Sequence, residues 1–298
     1  MSPTPNTPSN SRATPALALW LRVPAALPFP VLHAAGTAIA WLLRVVVRFR
    51  LSTVRANLRR CFPEMGAAEL NVTVARHYRE MTQAALELFK LSTLSADELR
   101  QRVHFTGSDE LAAALQAGRN VMLLTAHQGN WEWMTQRVAL EFSPRFICAY
   151  KPLRSARFER DLLALRTRFG AQMVPAKSLL RTLLRTREPH ITGLVADQMP
   201  LSSPSRVWLQ FMGVPTAFYP GPAEIAVRYR YDAYFLAMRR RSAGFYEVEL
   251  QPIAAAREGI DAASFTARYA ARVEAQLRRT PSDWAWGHRR WKLAPPTA

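Results

Sequence analysis

Apolar and polar positions fall into three regimes along the chain. Residues 1–15 (MSPTPNTPSNSRATP) are rich in Pro, Ser, Thr and Asn and offer little to bury, so a disordered tail is expected. From Ala16 to Val47 the chain turns mostly apolar. Pro24, Pro28 and Pro30 interrupt the first half, which does not read as one straight helix. The second half, Ala34 to Val47, reads as a short apolar helix carrying Arg44. It is shorter than the about 20 apolar residues that span a bilayer. Two readings fit: a segment that dips into one face of a membrane and ends in the basic run Arg48–Arg60, or a buried core hairpin. A cleaved signal peptide fits neither the late start of the apolar run nor the residues that follow it.

From about Ala67 the pattern is that of a folded domain. Residues 67–92 carry apolar positions at helical spacing, among them Val72, Val74, Met81, Ala84, Leu86 and Leu88. Apolar runs predict strands at Val121–Thr125, Arg145–Tyr150, Gln172–Val174, Ile191–Ala196, Arg206–Phe211, Ala233–Met238 and Tyr246–Leu250. Helices are predicted over 108–117, 130–141, 156–169, 177–187, 220–229 and 262–279. Alternation at this spacing predicts an α/β fold, a mixed sheet covered by helices on both faces, preceded by the apolar membrane-associating helical segment. No internal repeat and no second domain boundary is visible.

Charge sharpens the picture. Forty Lys and Arg against 22 Asp and Glu leave a net charge of +18, which calls for an anionic partner: nucleic acid, lipid head groups or an acidic protein. The arginines are dispersed rather than laid in one stripe with stacking aromatics, which argues against nucleic acid. Cys61 and Cys148 form no disulfide framework, and neither has a second Cys or His at metal-ligand spacing.

An acid five residues after a histidine occurs twice, as His127…Glu132 and His104…Asp109. Six histidines and 22 acids in 298 residues make that spacing uninformative by itself. Context separates the two. In VHFTGSDEL, Asp109 reads as an acid in the first turn of a helix that starts near Ser108, and His104 as structural. His127 instead follows the buried strand Val121–Thr125, at the end of a strand where open α/β sheets bind ligands. Gly129 permits a tight turn, Asn130 can cap, and Glu132 stands in the first turn of the next helix. That arrangement lets Glu132 accept the Nδ1 proton of His127 and leaves Nε2 to take a proton from a hydroxyl. The other reading is a loop histidine beside a helix-capping acid.

The segment LLTAHQGNWEW resembles the H-x4-D/E motif of glycerolipid-type acyltransferases, and is most similar to that of the lauroyl/myristoyl (late) acyltransferases of lipid A biosynthesis. Further segments match that family in order. They are Asn57-Leu58 with Cys61-Phe62-Pro63-Glu64, Tyr150-Lys151-Pro152, Leu165-Arg166 with Arg168-Phe169-Gly170, Ala196-Asp197-Gln198, Phe211-Met212-Gly213-Val214-Pro215, and Pro281 with Trp284, Trp286 and His288-Arg289-Arg290-Trp291. The similarity covers roughly residues 17–292. One departure is Lys151, where the family often has Arg; Lys keeps the charge and loses the bidentate grip.

The resemblance implies an acyl-carrier-protein (or CoA) thioester as co-substrate with no other cofactor, a membrane glycolipid such as a lipid A precursor as acceptor, and a site on the cytoplasmic face of a bacterial inner membrane. It divides the chain into the tail 1–15, a membrane-associating segment 16–60 with its basic flank, an acyltransferase domain 61–292 and a tail 293–298. His127 is the expected general base, with Glu132 orienting it and Arg166 or backbone N–H groups near Asn130 stabilising the oxyanion. Lys151 is a substrate-binding candidate. Asp197 either holds an arginine, contacts the acceptor or is a structural loop carboxylate. Arg289 and Arg290 either bind head-group phosphate or stack on the neighbouring rings. The apolar face of helix 130–141 and the N-terminal segment are expected to wall an acyl groove. No metal and no nucleic acid is implied. Rival readings are another acceptor (phospholipid, ornithine lipid or another glycolipid) and a non-catalytic basic membrane-surface module; no G-x-S-x-G elbow suggests a serine hydrolase.

Overall fold

The computed structural model describes residues 19–200 and 205–295; the expected tail 1–15, and residues 296–298 of the expected C-terminal tail, lie outside them. The chain opens with α1 (Leu19–Ala26) and α2 (Phe29–Trp41), and α2 runs on into a π-helical turn, Leu42–Val46. The helix therefore begins at Phe29, not Ala34. Pro30 stands in its first turn, where a missing N–H is harmless and the fixed φ suits a helix. This corrects the expected short segment: Phe29–Val46 is 18 residues, with mean hydropathy 1.5, long and apolar enough to cross a bilayer by length and composition.

Only 17% of that segment is buried, so it is not a core hairpin. It docks through Leu32, Gly36 and Ala40 on α4 (Ala67–Lys90), which follows α3 (Leu51–Cys61). A Cβ at Gly36 would lie 2.9 Å from Gln83 Cγ, so only glycine allows this approach. Gln83 Nε2 donates to the His33 carbonyl and to Thr37 Oγ1, each at 3.0 Å. Within the basic run, α3 turns Val54, Leu58 and Cys61 into the core. On α4, Val72 faces solvent, against its expected place on the packed face.

The remaining elements are α5 (Ala96–Arg102), β1 (Val103–Thr106), α6 (Ser108–Gln116), β2 (Val121–Thr125), α7 (Trp131–Phe142), β3 (Phe146–Tyr150), α8 (Ala156–Arg166), β4 (Gln172–Pro175), α9 (Leu179–Arg185), β5 (Ile191–Val195), β6 (Val207–Phe211), β7 (Val214–Phe218), α10 (Gly221–Arg228), β8 (Asp232–Ser242), β9 (Phe245–Ala254) and α11 (Ala262–Arg279). The main sheet has the order β1-β9-β8-β2-β5-β3-β4. Strands β8, β2, β5, β3 and β4 are parallel, β9 is antiparallel to β8, and β1 is parallel to β9. The mixed α/β sheet flanked by helices is the expected fold.

β2 is buried at all five positions because each face meets a separate core. Met122 and Leu124 join the cluster around Phe235, Phe265 and Trp286, while Val121 and Leu123 join the one around Trp133, Val138 and Met238. The expected strand near Phe211 lies outside the main sheet. It pairs with β7 in a separate hairpin, turned by Met212 and Gly213, both at positive φ.

Candidate active site

β2 lies beside β5, with Thr125 opposite Val195, and β5 lies beside β3, with Phe146 opposite Ile191. The segments that leave these three parallel strands therefore emerge at one edge. His127, Asp197 and the Tyr150-Lys151 pair meet there, although 70 residues separate the first two. His127 Nδ1 lies 2.6 Å from Asp197 Oδ1, and the His127 backbone N–H donates to Asp197 Oδ2 at 3.0 Å. Trp284 Nε1 donates to the same Oδ2 at 2.6 Å. With its Nδ1–H donating to Asp197, the neutral ring keeps a lone pair on Nε2, which the Gln198 amide reaches at 3.2 Å.

Electrostatics fix that arrangement. Burial pulls the His127 pKa down, but the charge and hydrogen bond of Asp197 outweigh it, and the net shift is above the ordinary 6.5. Asp197 is only 3% exposed, yet the His127 ring, the His127 N–H and Trp284 hold it below the usual carboxylate range against the upward pull of burial. The ring itself is 22% exposed and faces a groove.

The turn that carries His127 is clamped from several sides. Gly129 sits at φ 55°, and its N–H donates to Asp283 Oδ1 at 2.7 Å. Ala285 N–H donates to the His127 carbonyl at 3.0 Å. Asn130 caps α7 by accepting the Trp133 N–H at 3.0 Å, and its amide donates to Glu87 Oε2 at 2.8 Å. Glu87 is fully buried and also receives Tyr246 Oη at 2.6 Å, while its Oε1 lies 2.8 Å from His33 Nε2 of α2. One carboxylate thus ties the N-terminal helix to the turn that carries His127.

Glu132 does not take the Nδ1 proton. It points across α7 to the C-terminal end of α8, where Arg166 grips it with Nε at 2.8 Å and with a second, shorter bond from Nη2. The two expected partners of the reaction are thereby partners of each other: Arg166 is not a free cation, and Asp197 holds the histidine rather than an arginine. Glu132 and Arg166 still line the groove beside His127. Lys151 is exposed and also lines it.

Arg289 is exposed and stands outside the groove lining. Arg290 is 2% exposed, with its guanidinium 4.6 Å from the Phe218 ring centroid and its three nitrogens without partners among the described residues. Burial pushes its pKa down to about 10. Of the two readings for Arg290, ring stacking is therefore the one realised, on Phe218; enclosure keeps it from a head group.

The groove holds about 430 Å³, within the about 300–1,000 Å³ typical of ligand sites. Its apolar wall includes Cys148, Leu153, Met173, Leu194, Tyr219 and Pro222, with Trp131 and Thr135 from α7. The N-terminal segment contributes no lining residue among those described, contrary to expectation, because it packs on α4 instead. Burial pushes the Cys148 and Cys61 thiols up to about 12, so neither is a ready nucleophile. No cluster of three or more potential metal ligands occurs among the described residues. Sequence reasoning passed over Asp283 altogether, and noted Trp284 only as part of a motif. A Trp in a polar C-terminal segment far from the histidine carries no local signal of this role.

Comparison with known proteins bears on the family. A family model described as bacterial lipid A biosynthesis acyltransferase matches residues 12–293. A lipid A biosynthesis palmitoleoyltransferase of Escherichia coli K12 is 25% identical over 284 residues, covering 93% of this chain and 89% of that protein. A phosphatidylinositol mannoside acyltransferase of Mycobacterium tuberculosis is 25% identical over 287 residues, covering 91% and 86%. A lipid A biosynthesis acyltransferase of Haemophilus influenzae is 22% identical over 285 residues, covering 94% and 89%.

Proposed function

The chain belongs to the bacterial lipid A biosynthesis acyltransferase family and is an acyltransferase, and from that premise we propose that it moves a fatty acyl group from an acyl-carrier-protein thioester to a hydroxyl of a membrane glycolipid, a lipid A precursor. The observation that carries the reading is His127, with Nδ1 bound to a buried Asp197 and Nε2 presented to an apolar-walled groove. His127 Nε2 takes the proton of the acceptor hydroxyl as its oxygen attacks the thioester carbonyl. The carbonyl π electrons move to oxygen, and collapse of the tetrahedral adduct expels the thiolate, which recovers the proton from His127. Asp197 stabilises the imidazolium in between. The Arg166–Glu132 pair and the first turn of α7 stand where they can face the developing oxyanion. Lys151 at the groove's rim suits an anionic part of either substrate.

The net charge of +18 supports an acidic donor protein and an anionic lipid surface as partners. Exposed Val31, Ile39, Trp41, Val45 and Val46 support membrane attachment through Phe29–Val46. A donor loaded on acyl carrier protein puts the groove on the cytoplasmic face of the inner membrane. A second reading keeps the chemistry and changes the acceptor: the 25% identity to a phosphatidylinositol mannoside acyltransferase favours a mannosylated phospholipid equally.

The test is transfer of labelled acyl chains from acyl carrier protein, or from CoA, to purified lipid A precursor and to mannosylated phosphatidylinositol. Label in the first lipid supports the proposal, and label only in the second favours the other acceptor. His127→Ala lowers transfer at least about a hundredfold if Nε2 is the base; transfer that survives this change overturns the mechanism.

A further inference from the structure

A second polar cleft, of about 360 Å³, opens away from the groove. Its wall holds four arginines, Arg76 and Arg79 from α4 and Arg240 and Arg241 from the end of β8, against one acid, Glu80. None of the four lines the His127 groove. Glu80 is 6% exposed and occupied: it accepts Ser282 Oγ at 2.7 Å and Arg76 Nε at 2.7 Å. Arg240 is held in place by Gln83 Oε1 and the Ser242 carbonyl. Arg241 spends its Nε on Glu247 at 3.2 Å, while Arg79 is exposed and has no ion pair among the described residues. The cleft is thus a held framework of guanidinium groups whose positive charge is only partly balanced, and such groups match phosphate oxygens in pairs.

Its position says where the phosphate comes from. The pairing of β2 with β8 ends at Leu124 and Phe235, so Arg240 and Arg241 overhang the same sheet edge that carries His127. Gln83, in the cleft wall, also donates to the His33 carbonyl and Thr37 Oγ1 of α2. The cleft therefore adjoins the middle of the exposed apolar helix. Cations beside a bilayer-facing segment meet the phosphate layer of anionic lipids.

We propose that Arg76, Arg79, Arg240 and Arg241 form a phosphate-binding cleft, filled by the phosphate of an anionic lipid head group when α2 engages a bilayer. The site is separate from the acyl-transfer groove, and holds whatever the acceptor of the transfer is.

The experiment is co-sedimentation of the full chain with phosphatidylcholine vesicles, with and without phosphatidylglycerol. The variants are the cleft pair Arg79→Ala/Arg241→Ala, a charge-matched pair of exposed arginines elsewhere, Arg187→Ala/Arg257→Ala, and the charge-keeping pair Arg79→Lys/Arg241→Lys. The cleft pair binds phosphatidylglycerol vesicles about tenfold or more weakly, while binding to phosphatidylcholine alone is unchanged. The control pair stays within about twofold on both, and the lysine pair falls between. Equal losses in cleft and control pairs overturn the proposal, because only net charge then matters. Unchanged vesicle affinity in the cleft pair, together with inorganic phosphate shielding Arg79 from phenylglyoxal in the wild type, overturns the lipid source and leaves a free-phosphate site. Acyl transfer is not read in any arm, so loss of the proposed reaction leaves this outcome intact.

Discussion

Two carboxylates flank the groove, and they live differently. At the β5 corner Asp197 is buried, accepts three hydrogen bonds and takes its charge balance from an imidazole that, in the proposed mechanism, changes protonation during turnover. At the α7–α8 corner Glu132 is balanced by an arginine that never does. The first carboxylate is therefore coupled to the proton that moves, and the second to the shape and potential of the groove. Proximity in sequence to the histidine chose the wrong one as its partner; the sheet, which brings β5 beside β2, chose the right one.

The comparison is broken most directly at Asp197. Asp197→Asn should lower transfer by about a hundredfold or more, and should move the acid limb of kcat/KM to lower pH. The sign follows from the proposed base: His127 would act unprotonated, its pKa is raised in the wild type, and removing the charge that raises it lets the ring deprotonate at lower pH. A pH–rate profile with an unmoved limb would return the orienting role to another group. Trp284→Phe comes next, with a loss of about tenfold, since it removes one hydrogen bond to a charged acceptor without removing the acceptor. Its limb should shift slightly upward, because Asp197 then takes more of its stabilisation from the imidazolium.

Glu132→Gln sharpens the contrast from the other side. A loss of about tenfold is expected, with the acid limb moving to lower pH but less than in Asp197→Asn, because the Glu132 charge also raises the His127 pKa and ranks below Asp197 in doing so. The double variant Glu132→Gln/Arg166→Gln should lose less than the two single losses combined, as measured by a double-mutant cycle. The smallest effect on turnover belongs to Asp283. Burial and the neighbouring Glu80 push its pKa up to about 7, from an ordinary 3.8. Its stabilising proton is fully present at low pH and is lost as pH rises through about 7. Asp283→Asn keeps an acceptor for the Gly129 N–H, so the fall in Tm between acidic and mildly alkaline buffer should shrink in the variant, by scanning calorimetry.

The sheet and the His127 turn were legible in sequence because their signals are local. Val121–Thr125 is continuously apolar, Gly129 meets the need for positive φ, and Asn130 has a capping side chain. β1 was hidden because it is only four residues long, too short for its alternation to stand out, and β7 because Pro215 reads as a turn. The start of α2 was misplaced because a proline that breaks a helix interior is well tolerated in a first turn. Asp197 was visible as a strand-end acid, but its partner was not, since no rule of spacing links positions 70 residues apart. Arg290 had two readings in sequence, head-group binding or ring stacking, and only packing against Phe218 shows it enclosed.

The three residues that complete the site, Asp283, Trp284 and Ala285, come 87 residues after Asp197 in the case of the tryptophan. Translation delivers them last. While the chain is still on the ribosome and the apolar N-terminal helix has long since emerged, the histidine turn lacks its clamp and Asp197 lacks a donor. Under the proposed function, attachment to the membrane precedes competence for chemistry, and a nascent chain stalled before Asp283 is tethered but silent.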